Sequence, residues 1–276
     1  MKNTNKVYSL TDKNKNEIDK YIFSTGFIGI QCKEDVSPEY LKEFLMSPIF
    51  NKEKDRLAKG STQKAITTND LNNIYIPIVP LKQQKQIAEE LTRIDNAIDK
   101  TTLQIEEAEK LKKGMMKKLF TEGIGHKEFK DTEIGRIPKE WEVVKLGKVL
   151  NLKNGERPKI SESSLFPVYG ANGVMSHSNT YLVDNDFTIV IGRVGASGEI
   201  HLVRGKAWIS DNAIYSDSYD KSKIYIPFLF YLLKSKKLTQ FASKTTHPII
   251  TQTFLKNYLL QCPELLEQQQ IASILS

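Results

Sequence analysis

Between Leu81 and Phe120 the chain runs forty residues without a proline, and Gly114 is its only glycine. Ile87, Leu91, Ile94, Ile98, Thr101, Ile105 and Ala108 recur at alternating spacings of four and three. That rhythm puts one apolar seam on a helix and calls for a partner helix. Past Ala108 the seam shifts to Leu111, Met115 and Leu119, while Glu, Lys, Gln and Asp fill the other faces. The pattern predicts a helical rod over 81–120, about 60 Å long at roughly 1.5 Å per residue. Such a rod serves as a spacer, as a pairing element, or as a long helix packed on a globular core.

The material on either side of the rod repeats. Residues 61–91 match residues 245–275 without a gap. Ile66, Thr67, Leu71 and Asn73 meet Ile250, Thr251, Leu255 and Asn257; Gln84, Gln86, Ile87, Ala88 and Leu91 meet Gln268, Gln270, Ile271, Ala272 and Leu275. Upstream, Pro38–Leu45 resembles Pro227–Leu233, a short helix after a proline. The expected order is the distal part of a first domain (1–80), the rod (81–120), a linker (121–133), a whole second domain (134–263) and the start of a second rod (264–276). The repeat implies that the first domain lacks its front half and the second rod stops early.

The second domain opens on Ile137–Gly147, where Trp141, Val143, Val144 and Leu146 are core candidates. Short β-like runs follow at Phe166–Tyr169, Thr180–Val183, Phe187–Ile191, Glu199–Val203 and Ala207–Ile209. Glycine-rich turns at 170–173 and 192–198 separate some of them. Residues 225–260 read as helical first and mixed afterwards. The fold class is therefore α+β, with β-rich domains joined by a long coiled-coil-like helix.

Charge localises the interest. The formal net charge is +7, and residues 135–263 alone carry +7 when Lys and Arg are counted against Asp and Glu. A basic domain is compatible with nucleic acid. Cys32 and Cys262 lack ligand spacing, and His126, His177, His201 and His247 show no metal-binding pattern, so free thiols and no metal site are expected. No apolar run approaches the roughly 20 residues of a membrane helix. The polar opening stretch leads to the expectation of a cytoplasmic protein. The 192–198 loop lacks a GKS/T ending and opens no helix, so it is not a phosphate-binding loop of the nucleotide-hydrolase kind. No catalytic residue and no cofactor are expected.

Two readings remain for the loops. The 192–198 stretch is either a plain turn between strands or a loop that brings Arg193 and backbone amides to a phosphate or base edge, with Ser197 and Asn172 as further candidate contacts. Lys59, Ser61, Gln63 and Lys64 in the first copy face Lys244, Thr245 and His247 in the second. Each group is either a solvated polar turn or a mixture suited to phosphate and base contacts.

The Ile137-Pro138-Lys139-Glu140-Trp141-Glu142 entry, the Gly-Arg-Val-Gly-Ala-Ser-Gly loop, and the Pro80–Ala88 helix start with its counterpart at Pro263–Ala272 together resemble the specificity subunits of type I restriction–modification systems. The resemblance implies two target-recognition domains, each reading half of a split double-stranded DNA site. It also implies two antiparallel helices that set the spacing and dock methyltransferase subunits, and through them restriction subunits. It implies no catalytic residue. With both ends read as cut, the Ile87/Leu91/Ile94/Ile98/Ile105 seam is expected to pair with a second copy or with another specificity fragment. The alternative is a helical assembly module with little DNA binding of its own.

Overall fold

The computed structural model describes residues 7, 28–58, 66–158, 165–243 and 248–276. The chain divides into two compact units, Met1–Glu106 and Glu107–Ser276.

In the first unit two Ser-Pro pairs start two helices. Ser37 caps α1 (Pro38–Met46) and Ser47 caps α2 (Pro48–Leu57), each hydroxyl accepting a backbone N–H while proline occupies the first turn. Tyr40, Leu41, Phe44 and Phe50 are buried, and the Phe44 and Phe50 rings meet edge to face at 5.9 Å. A capping box between Thr67 and Asp70 opens the single turn of α3 (Thr68–Leu71). Residues 74–80 then run without regular structure to α4 (Leu81–Glu122), a continuous helix of 42 residues.

On α4, Ile87, Leu91, Ile94, Ile98 and Ile105 are between 40 and 57% exposed. No helix among the described residues is long and apolar enough to cross a membrane.

The second unit takes in the last turns of α4 and the chain that follows it. Its elements are a hairpin of β1 (Phe129–Thr132) and β2 (Gly135–Pro138), then β3 (Glu142–Lys145), α5 (Leu146–Val149) and β4 (Leu150–Asn154). Next come β5 (Phe166–Gly170), β6 (Gly173–Ser178), β7 (Val183–Gly192), β8 (Ile200–Ile209) and β9 (Ala213–Tyr219). α6 (Ile226–Ser235), a 3-10 turn (Leu238–Phe241), α7 (Gln252–Asn257), β10 (Leu259–Cys262) and α8 (Leu265–Leu275) complete it. Six strands form one sheet in the order β4-β9-β7-β8-β5-β6, antiparallel except for β5 beside β8. β10 pairs separately with β3. Helices cover the sheet over a core that includes Trp141, Leu146, Ile189, Ile191, Phe228, Leu229, Leu232 and Leu255. Val143 and Val144 pack half-buried against it. Cys32 and Cys262 are free and partly buried.

Two pairs of the expected short runs are in fact single ten-residue strands, β7 and β8. The polar residues Asp184–Asp186 interrupt the apolar pattern without ending β7, because a register shift between Asn185 and Thr188 absorbs them. The break in β8, at Gly205, lies opposite Asn185 in the same irregularity.

The repeat is visible in the structure. Thr67 and Thr251 both cap the helix that follows, and Gln84 and Gln268 are both fully buried. The α1 and α6 helices correspond one residue away from a proline-to-proline match: buried Tyr40, Leu41 and Phe44 occupy the places of buried Phe228, Leu229 and Leu232. In the first copy the counterpart of β10 is 75–78, which forms no strand among the described residues and leaves Tyr75 95% exposed.

The last turns of α4 belong to the core of the second unit. Phe120 is 3% exposed and packs edge-on to Phe228 at 5.7 Å, and Gln261 Nε2 donates to the Phe120 carbonyl at 2.7 Å. α8 then runs back antiparallel to α4. Its first turn meets the residues just past Glu122, and its last residues Ile274–Ser276 line a groove with Ala108, Leu111 and Met115.

Glu267 closes the junction. Its carboxylate accepts from the Ile124 N–H at 2.9 Å and from Trp141 Nε1 at 2.9 Å, and lies 3.0 Å from His126 Nε2. His126 Nδ1 lies 2.7 Å from Glu140 on its other side. Gly123 sits at φ +65°, where a Cβ would fall 2.5 Å from the Glu267 carboxylate, so the turn needs glycine. Burial works against charge on the His126 ring, but the hydrogen bonds and charges of Glu267 and Glu140 outweigh it, and the ring holds its proton above the usual range. A raised folded pKa makes the stabilisation complete below the unfolded value of 6.5 and lost as pH rises through the folded one. The stability difference between the protein and His126→Gln is therefore expected to be larger at about pH 5.5 than at about pH 8.5, measured by urea unfolding at both.

Candidate nucleic-acid interface

Several loops of the second unit converge at one edge of its sheet, and backbone bonds lock them together. The turn after β8 is the hub. Asn212 O accepts from the Arg193 N–H at 2.8 Å, Ala213 O accepts from Gly155, and Ile209 O accepts from Glu156. The Trp208 indole donates to Glu156 O at 2.9 Å. The β5–β6 turn joins through His201 Nε2, which donates to Ala171 O at 3.2 Å.

The Gly192–Gly198 loop, between β7 and β8, lies directly beside the flanks of 244–247. Val194 and Ile249 form an isolated bridge, and Ile250 donates to Arg193 O at 3.0 Å. The Ser197 hydroxyl reaches Arg193 O at 2.7 Å and also the Pro248 carbonyl. Ser243 and Ile249 bond to each other at the base of the same segment. At Gly198, φ is +88° and a Cβ would stand 2.5 Å from Thr239 N, so glycine is what lets this loop lie against the 3-10 turn.

These contacts sort the expected site residues. Arg193 is half-exposed, and its guanidinium has no hydrogen-bond or ion-pair partner among the described residues. Asn172 is exposed on the β5–β6 turn at the same edge. Ser197 is 4% exposed with its hydroxyl engaged inside the loop, so its work is to hold the loop together and not to face a ligand. Lys244, Thr245 and His247 lie outside the described residues, as do Lys59, Ser61, Gln63 and Lys64.

Arg157 escaped the sequence reading. It is exposed, follows Gly155 and Glu156 on the hub, and has no partner among the described residues. No motif marks it; only the backbone bonds of its neighbours bring it to this edge. Some other cations of the unit are occupied: Lys153 pairs with Asp217 at 3.0 Å, and Arg204 stacks over Phe187 at 4.9 Å.

The type I restriction modification DNA specificity domain model matches residues 8–110 and 138–276, most of the chain in two blocks. The chain belongs to this family. It is 34% identical to the type I restriction enzyme MjaVIII specificity subunit of Methanocaldococcus jannaschii, over 78% of this chain and 57% of that one. It is 32% identical to the putative MjaX specificity subunit of the same organism, over 87% of this chain and 61% of that one. This chain thus spans about three-fifths of the length of the curated relatives it matches. Among solved structures, the S subunit of a type I restriction–modification system from M. genitalium superposes with a TM-score of 0.65 at 20% identity, covering 87% of this chain and 65% of that one. The likeness extends to the fold, with mixed sheet domains and a long helix.

Loop-building and surface residues separate by their cost. Removing the Ser197 hydroxyl takes a donor away from the part-buried Arg193 and Pro248 carbonyls, so Ser197→Ala is expected to lower the stability of the second unit by about 1 kcal/mol. Arg193→Ala removes no internal contact of its side chain and should stay within about 0.5 kcal/mol. Urea unfolding of the two variants beside the parent protein checks both values.

Proposed function

We propose that the chain is a non-catalytic DNA-recognition subunit of a cytoplasmic type I restriction–modification complex. Its second unit reads one half of a bipartite double-stranded site. Its long helix holds that reader at a set distance from another and carries methyltransferase subunits, with restriction subunits attached through them. The reading needs no metal or cofactor.

The observation that carries it is the loop edge. Two arginines without a partner among the described residues, Arg193 and Arg157, stand on segments bonded to the same turn after β8, in the region that holds the chain's excess of positive charge. Lysines and arginines on phosphates release counterions and give salt-dependent affinity. An arginine on a loop that reaches a major groove can hold guanine O6 and N7 together. We assign Lys244, Thr245, His247 and Asn172 to the same DNA contact from their sequence positions. Lys59, Ser61, Gln63 and Lys64 are the matching set in the first unit.

Lys244→Ala is expected to weaken all DNA sequences about equally and to reduce the slope of log affinity against log salt by about 1. Arg193→Ala is expected to cost roughly 1–3 kcal/mol and to relax preference at one base pair only. Fluorescence anisotropy with the assembled complex, across salt concentrations and site variants, measures both. Unchanged affinity in both folded variants would remove this edge as the DNA surface.

The exposed seam supports pairing with a second copy. Its spacings of four, three, four, three and four read the same in either direction. Two antiparallel copies therefore set Ile87 opposite Ile105, Leu91 opposite Thr101 and Ile94 opposite Ile98. Beyond Ala108 the same helix already lies against α8. Ile94→Asp places unpaired charges in such a seam, so association is expected to weaken roughly a hundredfold or more in sedimentation experiments. A parent protein that stays monomeric at every concentration would refute the pairing.

A further inference from the structure

Gln84 and Gln268, the fourth residues of α4 and α8, are each 0% exposed. A buried amide must find partners for one acceptor and two donors, and both do so in the same way. Gln84 Oε1 accepts from the Ser37 N–H at 2.9 Å, and its Nε2 donates to Asp35 O at 2.9 Å and Val79 O at 2.8 Å. Gln268 Oε1 accepts from the Tyr225 N–H at 2.8 Å, and its Nε2 donates to Lys223 O and Pro263 O, both at 2.8 Å.

The partners correspond position by position. Ser37 and Tyr225 are the N-cap residues of α1 and α6, and Asp35 and Lys223 stand two residues before them. Val79 and Pro263 stand five residues before their glutamines. Each side chain thus ties three pieces of backbone together: the root of the long helix, the segment leading into it, and the start of a helix in the body of its own unit. The glutamines match at one offset and the capped helices at another, because the first copy has four more residues between them. The contact recurs across that insertion, so it reflects more than similarity within one stretch.

The consequence is leverage. At about 1.5 Å per residue α4 is about 63 Å long, so a tilt of about 5° at its root moves its far end by about 5 Å, more than the roughly 3.4 Å between stacked base pairs. We propose that Gln84 and Gln268 are positioning residues that fix the direction in which each spacer helix leaves its recognition unit, and so help set the number of base pairs between the two halves of the DNA site. The inference rests on the DNA-recognition reading above.

The test is to express the full chain with its modification subunit and to map methylated sites in the host DNA. The parent chain should yield a bipartite motif with one spacer length. Gln84→Met, close in size but unable to make the three bonds, should leave the half-site bases unchanged and shift the spacer by one base pair or split it between two lengths. Gln83→Met, on the exposed side of the same turn, should leave the spacer as it is. Where circular dichroism finds Gln84→Met unfolded, Ser37→Pro replaces it; Ser37 has φ −69°, which suits proline, and the change removes the N–H that Gln84 accepts. A folded variant of either kind that keeps the parent spacer overturns the positioning role alone. A parent chain that directs no bipartite methylation overturns the DNA-recognition reading, and this inference with it.

Discussion

The burial of Phe120 is the constraint on which the second unit depends. A spacer helix that merely abutted its domain could pivot at the joint. Here the helix gives a ring and a backbone carbonyl to the domain interior, where Phe228 and Gln261 receive them. Glu267 then ties the start of α8 to the turn just beyond. The last turns of α4 are part of the second unit's core, so the loop edge is held at a fixed attitude to that end of the helix. One amphipathic pattern serves two ends: past Met115 its apolar residues join the domain core, and from Ile87 to Ile105 they face outward.

Periodicity made the helix legible, because a side chain every three or four residues on one face has one structural meaning. The repeat was legible for a similar reason. It matched Gln84 with Gln268 in the sequence, although nothing local revealed that two apparently ordinary glutamines sit fully buried with every hydrogen-bonding group used. Glycine-rich loops were legible as loops. Their neighbours were not, since the bonds that join Arg193 to Asn212 and Ile250 run through backbone atoms, which side-chain identity does not encode. The same reason hid Arg157.

Strand extent was the weakest part of the reading. Alternation predicts a strand where one face is dry, but β7 and β8 pass through a bulge whose polar residues look like turns. Ser197 shows the converse limit. A hydroxyl among glycines suits a phosphate as well as it suits a neighbouring carbonyl, and only three-dimensional proximity decides for the carbonyls of Arg193 and Pro248.

The recognition edge is the claim that gives the rest of the account its purpose. Amide hydrogen exchange of the assembled complex, with and without DNA carrying its site, tests it most directly. DNA contact at this edge requires new protection across 192–198 and the turn at 210–213, with little change along α6 and α7. Protection confined to α6 and α7, with those loops exchanging as in free protein, would contradict it.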